Sequence, residues 1–125
     1  MLVSEHEIAD LKDFVFELNS RKDSVVVVEG KRDSFALKKL GYSGKLLEFH
    51  RFRGITNFAD SAAKYNNIIL LLDRDRKGRY LTGKIIQLLQ RRTKIDLSYK
   101  RKLRLITKGK IMFIEQLVSY ESYLV

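Results

Sequence analysis

The chain of 125 residues contains no cysteine and no proline, and only two methionines. Without cysteine there is no disulfide framework, no thiolate metal site and no thiol nucleophile, and a reducing cytoplasm is the compartment that fits. No apolar run approaches the roughly 20 residues that span a bilayer. The start, MLVSEHEIADLKDF, lacks the basic opening and unbroken apolar stretch of a signal peptide. The expectation is a soluble, unprocessed, cytoplasmic protein that makes no membrane contact. The two histidines, His6 and His50, stand far apart with no ligand spacing around them and read as surface or structural residues. Neither G-x-G-x-x-G nor G-x-x-x-x-G-K-[ST] occurs, which disfavours an enzyme of free nucleotides whose backbone amides would cradle phosphate.

Positive charge is what the chain has in excess. Lysine and arginine number 25 against 15 acids, a formal charge of +10. Such a field attracts polyanions, nucleic acid above all; the bland alternative is a solvated, lysine-rich surface of the thermophilic kind. The length and a hydrophobic share of 45% suit one domain with one core.

Hydrophobic periodicity divides the chain into alternating elements. Ser4 and Glu7 have the form of a capping box, and Ile8, Leu11, Val15 and Leu18 follow at helical spacing, predicting a helix over 4–19. Val25 to Val28 is a β-branched run without polar alternation, the pattern of a strand covered on both faces. After Asp33, SFALKKLG reads as a short helix closed by Gly41. KLLEFHRF, 45–52, is a second strand, and Ile55, Phe58, Ala59 and Ala62 mark a helix after Gly54. Ile68 to Leu72 repeats the buried-strand signature. From Gly78 onward Leu81, Ile85, Leu88 and Arg92 share a helical face with Leu89 beside them, and TKIDL supplies a fourth strand. Residues 99–106 fit a helix with Ser98 as cap and Gly109 as stop, or a strand in which Leu103 and Leu105 alternate; the helix is the preferred reading. The tail IEQLVSYESYLV reads as helical, docked on its own domain or on a partner. This order argues for an α/β fold with a parallel sheet.

Both buried strands end on acids, VVVV on Glu29 and IILLL on Asp73, with Asp75 two residues further on. A parallel sheet brings the carboxyl ends of its strands to one edge, where open α/β folds place their ligands. Glu29, Asp73 and Asp75 can therefore converge across 44 residues of sequence. Converging carboxylates repel unless a proton or cation compensates, and Mg2+, which prefers hard oxygen ligands and bridges carboxylates to phosphate, suits the set. Arg32, Arg51, Arg53, Arg74, Arg76, Lys77 and Arg79 surround these acids in sequence and are candidates to hold a phosphate backbone. The competing explanation is structural: Asp33 or Asp75 as caps of the helices that follow.

E-G-x-x-D in EGKRD, followed about 40 residues later by D-x-D-x-x-G in DRDRKG, resembles the Toprim domain. That domain is shared by bacterial primases, topoisomerases, OLD-family nucleases, recombination-repair proteins of the RecR type and small ribosomal RNA maturation nucleases. The resemblance spans roughly residues 23 to 117 and treats residues 1–22 as an added N-terminal helix packed on a domain of residues 23–125 that ends in a helical tail. It implies a Rossmann-like fold with four parallel strands. It further implies Glu29 as general acid or base, Asp73 and Asp75 as ligands of Mg2+ or Mn2+, and Glu29 at the metal as well. Gly30 would let the chain turn closely beneath the site, Asp33 would start the first helix as a supporting acid, and Gly78 would begin the helix after the acidic loop. KIMFIEQL is similar to a late segment of small standalone Toprim proteins, which adds Glu115.

No cysteine pattern marks a primase zinc region, and none of Tyr80, Tyr99, Tyr120 or Tyr123 stands in the context of a topoisomerase nucleophile. The expectation is a metal-dependent endonuclease acting on structured RNA or DNA. The alternative is a non-catalytic Toprim module that binds nucleic acid or a ribonucleoprotein partner. Homo-oligomer contact stays open, as does the choice between DNA and RNA.

Overall fold

Four valines and a serine form a strand, β1 (Ser24–Val28), every residue of which is buried. It lies inside the sheet: β2 (Lys45–Glu48) pairs with one side and β3 (Asn67–Leu70) with the other, and β4 (Lys94–Asp96) extends the sheet beyond β3. All pairings are parallel, in the order β2-β1-β3-β4. Residues 3–124 are described by this computed structural model. The expected α/β class and four-stranded parallel sheet are what the chain forms.

Helices cover both faces: α1 (Glu5–Ser20), α2 (Lys31–Lys39), α3 (Gly54–Ala62), α4 (Arg76–Leu89) and α5 (Ser98–Ile106). The alternation of side chains along each strand splits the core in two. Val26, Val28, Ile69 and Leu71 meet α1, α2, α5 and the C-terminal segment, whereas Val25, Val27, Ile68, Leu70 and Leu72 meet α3 and α4. Each buried valine contributes roughly 1.5–3 kcal/mol, so β1 anchors both layers at once.

The chain turns from β1 to β2 on one side and later crosses to β3 on the other. The gap beyond the carboxyl ends of β1 and β3 is therefore the topological switch point of the sheet, where open α/β folds bind ligands. Two further hydrogen bonds fix its walls: Leu71 N–H donates to Val27 O and His50 N–H to Glu29 O, both at 2.9 Å.

Several local expectations are corrected. The 45–52 strand stops at Glu48 and becomes a 3-10 turn over Phe49–Arg51, since only Lys45 to Glu48 pair with β1. Strand β3 ends at Leu70, although Leu71 and Leu72 stay buried beyond it. Helix α2 starts at Lys31, before Asp33, with Gly30 as its cap. Helix α4 starts at Arg76, capped by Asp75, and ends before Arg92; Leu88 is exposed, so Leu81, Ile85 and Leu89 make its buried stripe.

Residues 98–106 are helical as preferred, but Ser98 is the first helical residue; the Asp96 carboxylate accepts its N–H at 2.7 Å. The tail is a 3-10 segment, Ile114–Tyr123, packed on its own domain with Ile114, Leu117 and Tyr120 buried in the α1/α2 layer. Half of the Ser4–Glu7 capping box exists: Ser4 Oγ accepts the Glu7 N–H at 3.1 Å. The Glu7 carboxylate instead turns inward, accepting hydrogen bonds from Tyr120 Oη and from Lys110 Nζ.

Candidate active site

Strand β1 delivers Glu29, and the extended chain after β3 delivers Asp73, to the switch point from either side. Glu29, Asp73 and Asp33 are all more than nine-tenths buried, a burial that carboxylates tolerate only with partners. The partners are mainly backbone amides. Asp33, in the first turn of α2, reaches back to accept the Gly30 N–H at 3.1 Å, which closes the helix start with a side chain where a glycine cap has none. The backbone amide of Glu115 also draws the pKa of Asp33 down. Asp73 Oδ1 accepts the Ile114 N–H at 2.7 Å. Asp75 is half-buried and caps α4, its Oδ1 accepting the Gly78 N–H at 2.8 Å.

Glu29 differs from the rest. Its Oε1 is buried and has no hydrogen-bond partner. Burial, then the charges of Asp73, Asp75 and Asp33, push its carboxyl up to about 7. Asp73 is raised as well, first by burial, although the Ile114 amide and a side-chain hydrogen bond with Glu29 pull it back down. Asp33 is raised by burial and by Asp73. The result is an acid poised near neutrality beside a carboxylate fixed by the backbone.

The glycines of the two motifs serve space. A Cβ on Gly78 would lie 2.0 Å from the Asp73 carbonyl oxygen, so the first turn of α4 can approach the acidic loop only there. Gly30 has an ordinary extended backbone, and a Cβ on it would meet the His50 ring at 3.1 Å. Its small size makes room for His50, in place of the expected tight turn. Gly78, expected to begin α4, sits inside its first turn.

The Glu115 side chain points toward Arg32, 3.8 Å away and largely exposed, an ion pair worth little in solvent. Its backbone N–H does the supporting work at Asp33. Arg32, Arg53, Arg76, Lys77 and Arg79 are exposed, and Arg51 is exposed but pairs with Glu48 at 2.9 Å. Arg74 is half-buried, its Nη1 donating to the carbonyls of Ile111 at 3.2 Å and Gly109 at 3.4 Å.

Lys100 was not expected. It sits half-buried on α5, where burial and the neighbouring Arg74 lower its pKa while Asp73 and Glu29 act in the opposite sense. The run YKRKLR was its only sequence signal, and that run reads equally well as a solvated helix face.

A sequence model of the Toprim domain matches residues 24–106. The chain belongs to the Toprim family. The matched segment runs from β1 through α5 and contains both EGKRD and DRDRKG. Among relatives of the same kind, the chain is 36% identical to a UPF0292 protein of Methanosarcina acetivorans over 118 residues, covering 91% of this chain and 81% of that one. It is 38% identical to a UPF0292 protein of Thermococcus sibiricus over 96 residues, covering 76% and 75% of the two chains. A solved structure of an Aquifex aeolicus protein superposes with a TM-score of 0.70 at 26% identity, covering 85% of this chain and 96% of that one. Membership in the Toprim family points to a metal-binding, nucleic-acid-related role. No described helix is long and apolar enough to cross a membrane.

Among the described residues no group of three or more His, Cys, Asp or Glu side chains is arranged as a metal site. Mg2+ needs fewer, since it keeps waters and takes one or two carboxylates besides substrate phosphate. Asp73 and Asp75 each commit Oδ1 to a backbone amide and retain their second oxygen, and Glu29 Oε1 is unpartnered. Hard oxygen donors with spare valence fit such an ion.

Proposed function

We propose that this Toprim protein is a Mg2+- or Mn2+-dependent nuclease acting on structured RNA or DNA. The observation that carries the reading is the buried Glu29 carboxyl, with an orphaned oxygen and a pKa of about 7, at the switch point of the sheet. A group titrating there is matched to proton transfer at neutral pH. Asp73 and Asp75 would hold the ion, which supplies charge neutralisation to an anionic phosphodiester.

Glu29 then gives a proton to the leaving oxygen or takes one from the attacking nucleophile. Asp73, fixed by the Ile114 amide, is the neighbouring charge that, after burial, raises Glu29 most. Arg76, Lys77 and Arg79 on the first turns of α4, and Arg53, face solvent and are available to hold the strand, whereas Arg32 and Arg51 would have to exchange their exposed ion pairs with Glu115 and Glu48 for phosphate.

A second reading, a non-catalytic module for nucleic acid or a ribonucleoprotein, is favoured by one observation: Asp33, Asp73 and Asp75 each satisfy a backbone amide. Those bonds give the acids a purpose without catalysis. The experiment that separates the two incubates the purified protein with labelled single-stranded DNA, duplex DNA and structured RNA, in Mg2+, Mn2+ or chelator. Metal-dependent cleavage, lost in Glu29→Gln and Asp73→Asn, is expected. Tight binding without cleavage under either metal would overturn the nuclease in favour of the module.

A further inference from the structure

Beside the acids opens a cavity of about 200 Å³ whose lining is entirely basic: Arg74, Arg79, Lys100, Arg101 and Arg104. Lys100, Arg101 and Arg104 come from α5, where Arg104 follows Lys100 by four residues and Arg101 by three. Arg79 comes from α4, and Arg74 from between the two aspartates of the acidic loop. Among the described residues, Arg79, Lys100, Arg101 and Arg104 make no ion pair. Arg74 is tied by its hydrogen bonds to the Ile111 and Gly109 carbonyls, which orient a guanidinium without neutralising it.

Five cations around one small space repel each other, and an anion relieves the repulsion. Lys100 connects the pocket to the chemistry, because its half-buried ammonium feels the charges of both Asp73 and Glu29. Guanidinium forks match the oxygens of phosphate two at a time. At roughly 30 Å³ of liquid volume per water molecule, the cavity has room for a phosphate together with part of its sugar.

We propose that this pocket is a phosphate subsite, which receives a phosphoryl group of the strand held at Glu29 and Asp73. The inference rests on the nucleic-acid reading above and deepens it: one phosphate is gripped on the α5 side while the neighbouring linkage lies over the acids. That group is an internal phosphodiester or a terminal phosphomonoester, two sources of one chemistry.

The test is fluorescence anisotropy of the full chain in chelator, so that nothing is cut. Single strands of RNA and DNA, an RNA hairpin and a DNA duplex, labelled at a 3′ end and carrying a 5′-phosphate or a 5′-hydroxyl, are titrated over a series of KCl concentrations. Arg101→Ala/Arg104→Ala, two exposed positions, is compared with the parent protein, with circular dichroism as the check on folding; Lys100→Gln is the second variant. The double variant is expected to bind about tenfold or more weakly, with a log–log salt slope shallower by roughly 1.4 on single strands and roughly 1.8 on duplex, the release expected from two lost phosphate contacts.

Equal loss on both strand ends identifies an internal diester, and loss confined to the 5′-phosphorylated strand identifies a terminal phosphate; either supports the subsite. If the parent binds while both variants keep its affinity and slope, the subsite is overturned and the nucleic-acid reading stands. A parent that binds none of the strands removes both.

Discussion

The amide of Ile114 donates to Asp73 Oδ1 at 2.7 Å across 41 residues of sequence. The neighbouring amide of Glu115 acts on Asp33, drawing its pKa down against the effect of burial. The start of the C-terminal 3-10 segment thus completes the acidic site from above, and its first free N–H groups do what helix starts do for anions. Asp73 is held as an acceptor by the fold itself.

Asp73→Asn keeps an oxygen for the Ile114 amide but removes the charge. The fold is expected to survive, cleavage to fall below detection, and affinity for nucleic acid to stay the same or tighten, because a charge repelling phosphate is gone. Cleavage in metal beside binding in chelator measures both, and a variant that still cuts would remove Asp73 from the site.

Glu29 makes stability depend on pH. Its folded pKa of about 7 lies above the ordinary 4.5, so between those values the folded chain holds a proton that the unfolded chain has released. The unfolded state binds fewer protons there, and stability falls as pH rises through that window and then levels off. At about 1.4 kcal/mol per pKa unit, the loss is on the order of 3 kcal/mol at most. Glu29→Gln is expected to be more stable than the parent at pH 8, with the advantage vanishing by pH 4, in urea melts at the two pH values. An equal difference at both would show that Glu29 is not buried as a neutral acid.

Gly78→Ala places a methyl group 2.0 Å from the Asp73 carbonyl oxygen, an approach only a backbone shift can relieve. A loss of about 2–4 kcal/mol is expected, against about 1 kcal/mol of gain if helix propensity alone decided. Thermal denaturation gives the sign directly.

Tyr120→Phe tests how the tail is fastened. Glu7 is buried, yet hydrogen bonds from Tyr120 and Lys110 outweigh that burial and hold its carboxyl below the usual range. Removing the hydroxyl is expected to cost roughly 1.5–3 kcal/mol, the worth of a hydrogen bond to a charged group. Since the tail carries the Ile114 and Glu115 amides, hydrogen exchange at those two positions is expected to speed up as well. Unchanged exchange would separate the Glu7 lock from the site.

The strands and most helices were legible because their causes are local. A run of valines or of isoleucine and leucine has to be covered on both faces, and acids directly after such runs have to sit at strand ends, so Glu29 and Asp73 could be paired on paper. The Toprim motifs were likewise readable as strings. Boundaries were less so: Gly30 and Asp75 cap their helices earlier than the apolar stripes suggest, because a cap is set by one hydrogen bond and a stripe by several residues.

What the sequence determined was which residues could carry charge to one edge of a parallel sheet. What only the tertiary structure decided was the order β2-β1-β3-β4, which makes the gap between β1 and β3 the switch point. It also decided the arrival of Ile114, Glu115, Lys100 and Arg104 around that gap from the far end of the chain. Desolvation follows from that packing: a carboxyl written in EGKRD is an ordinary glutamate until two layers of helices exclude water from it, and then it titrates near 7.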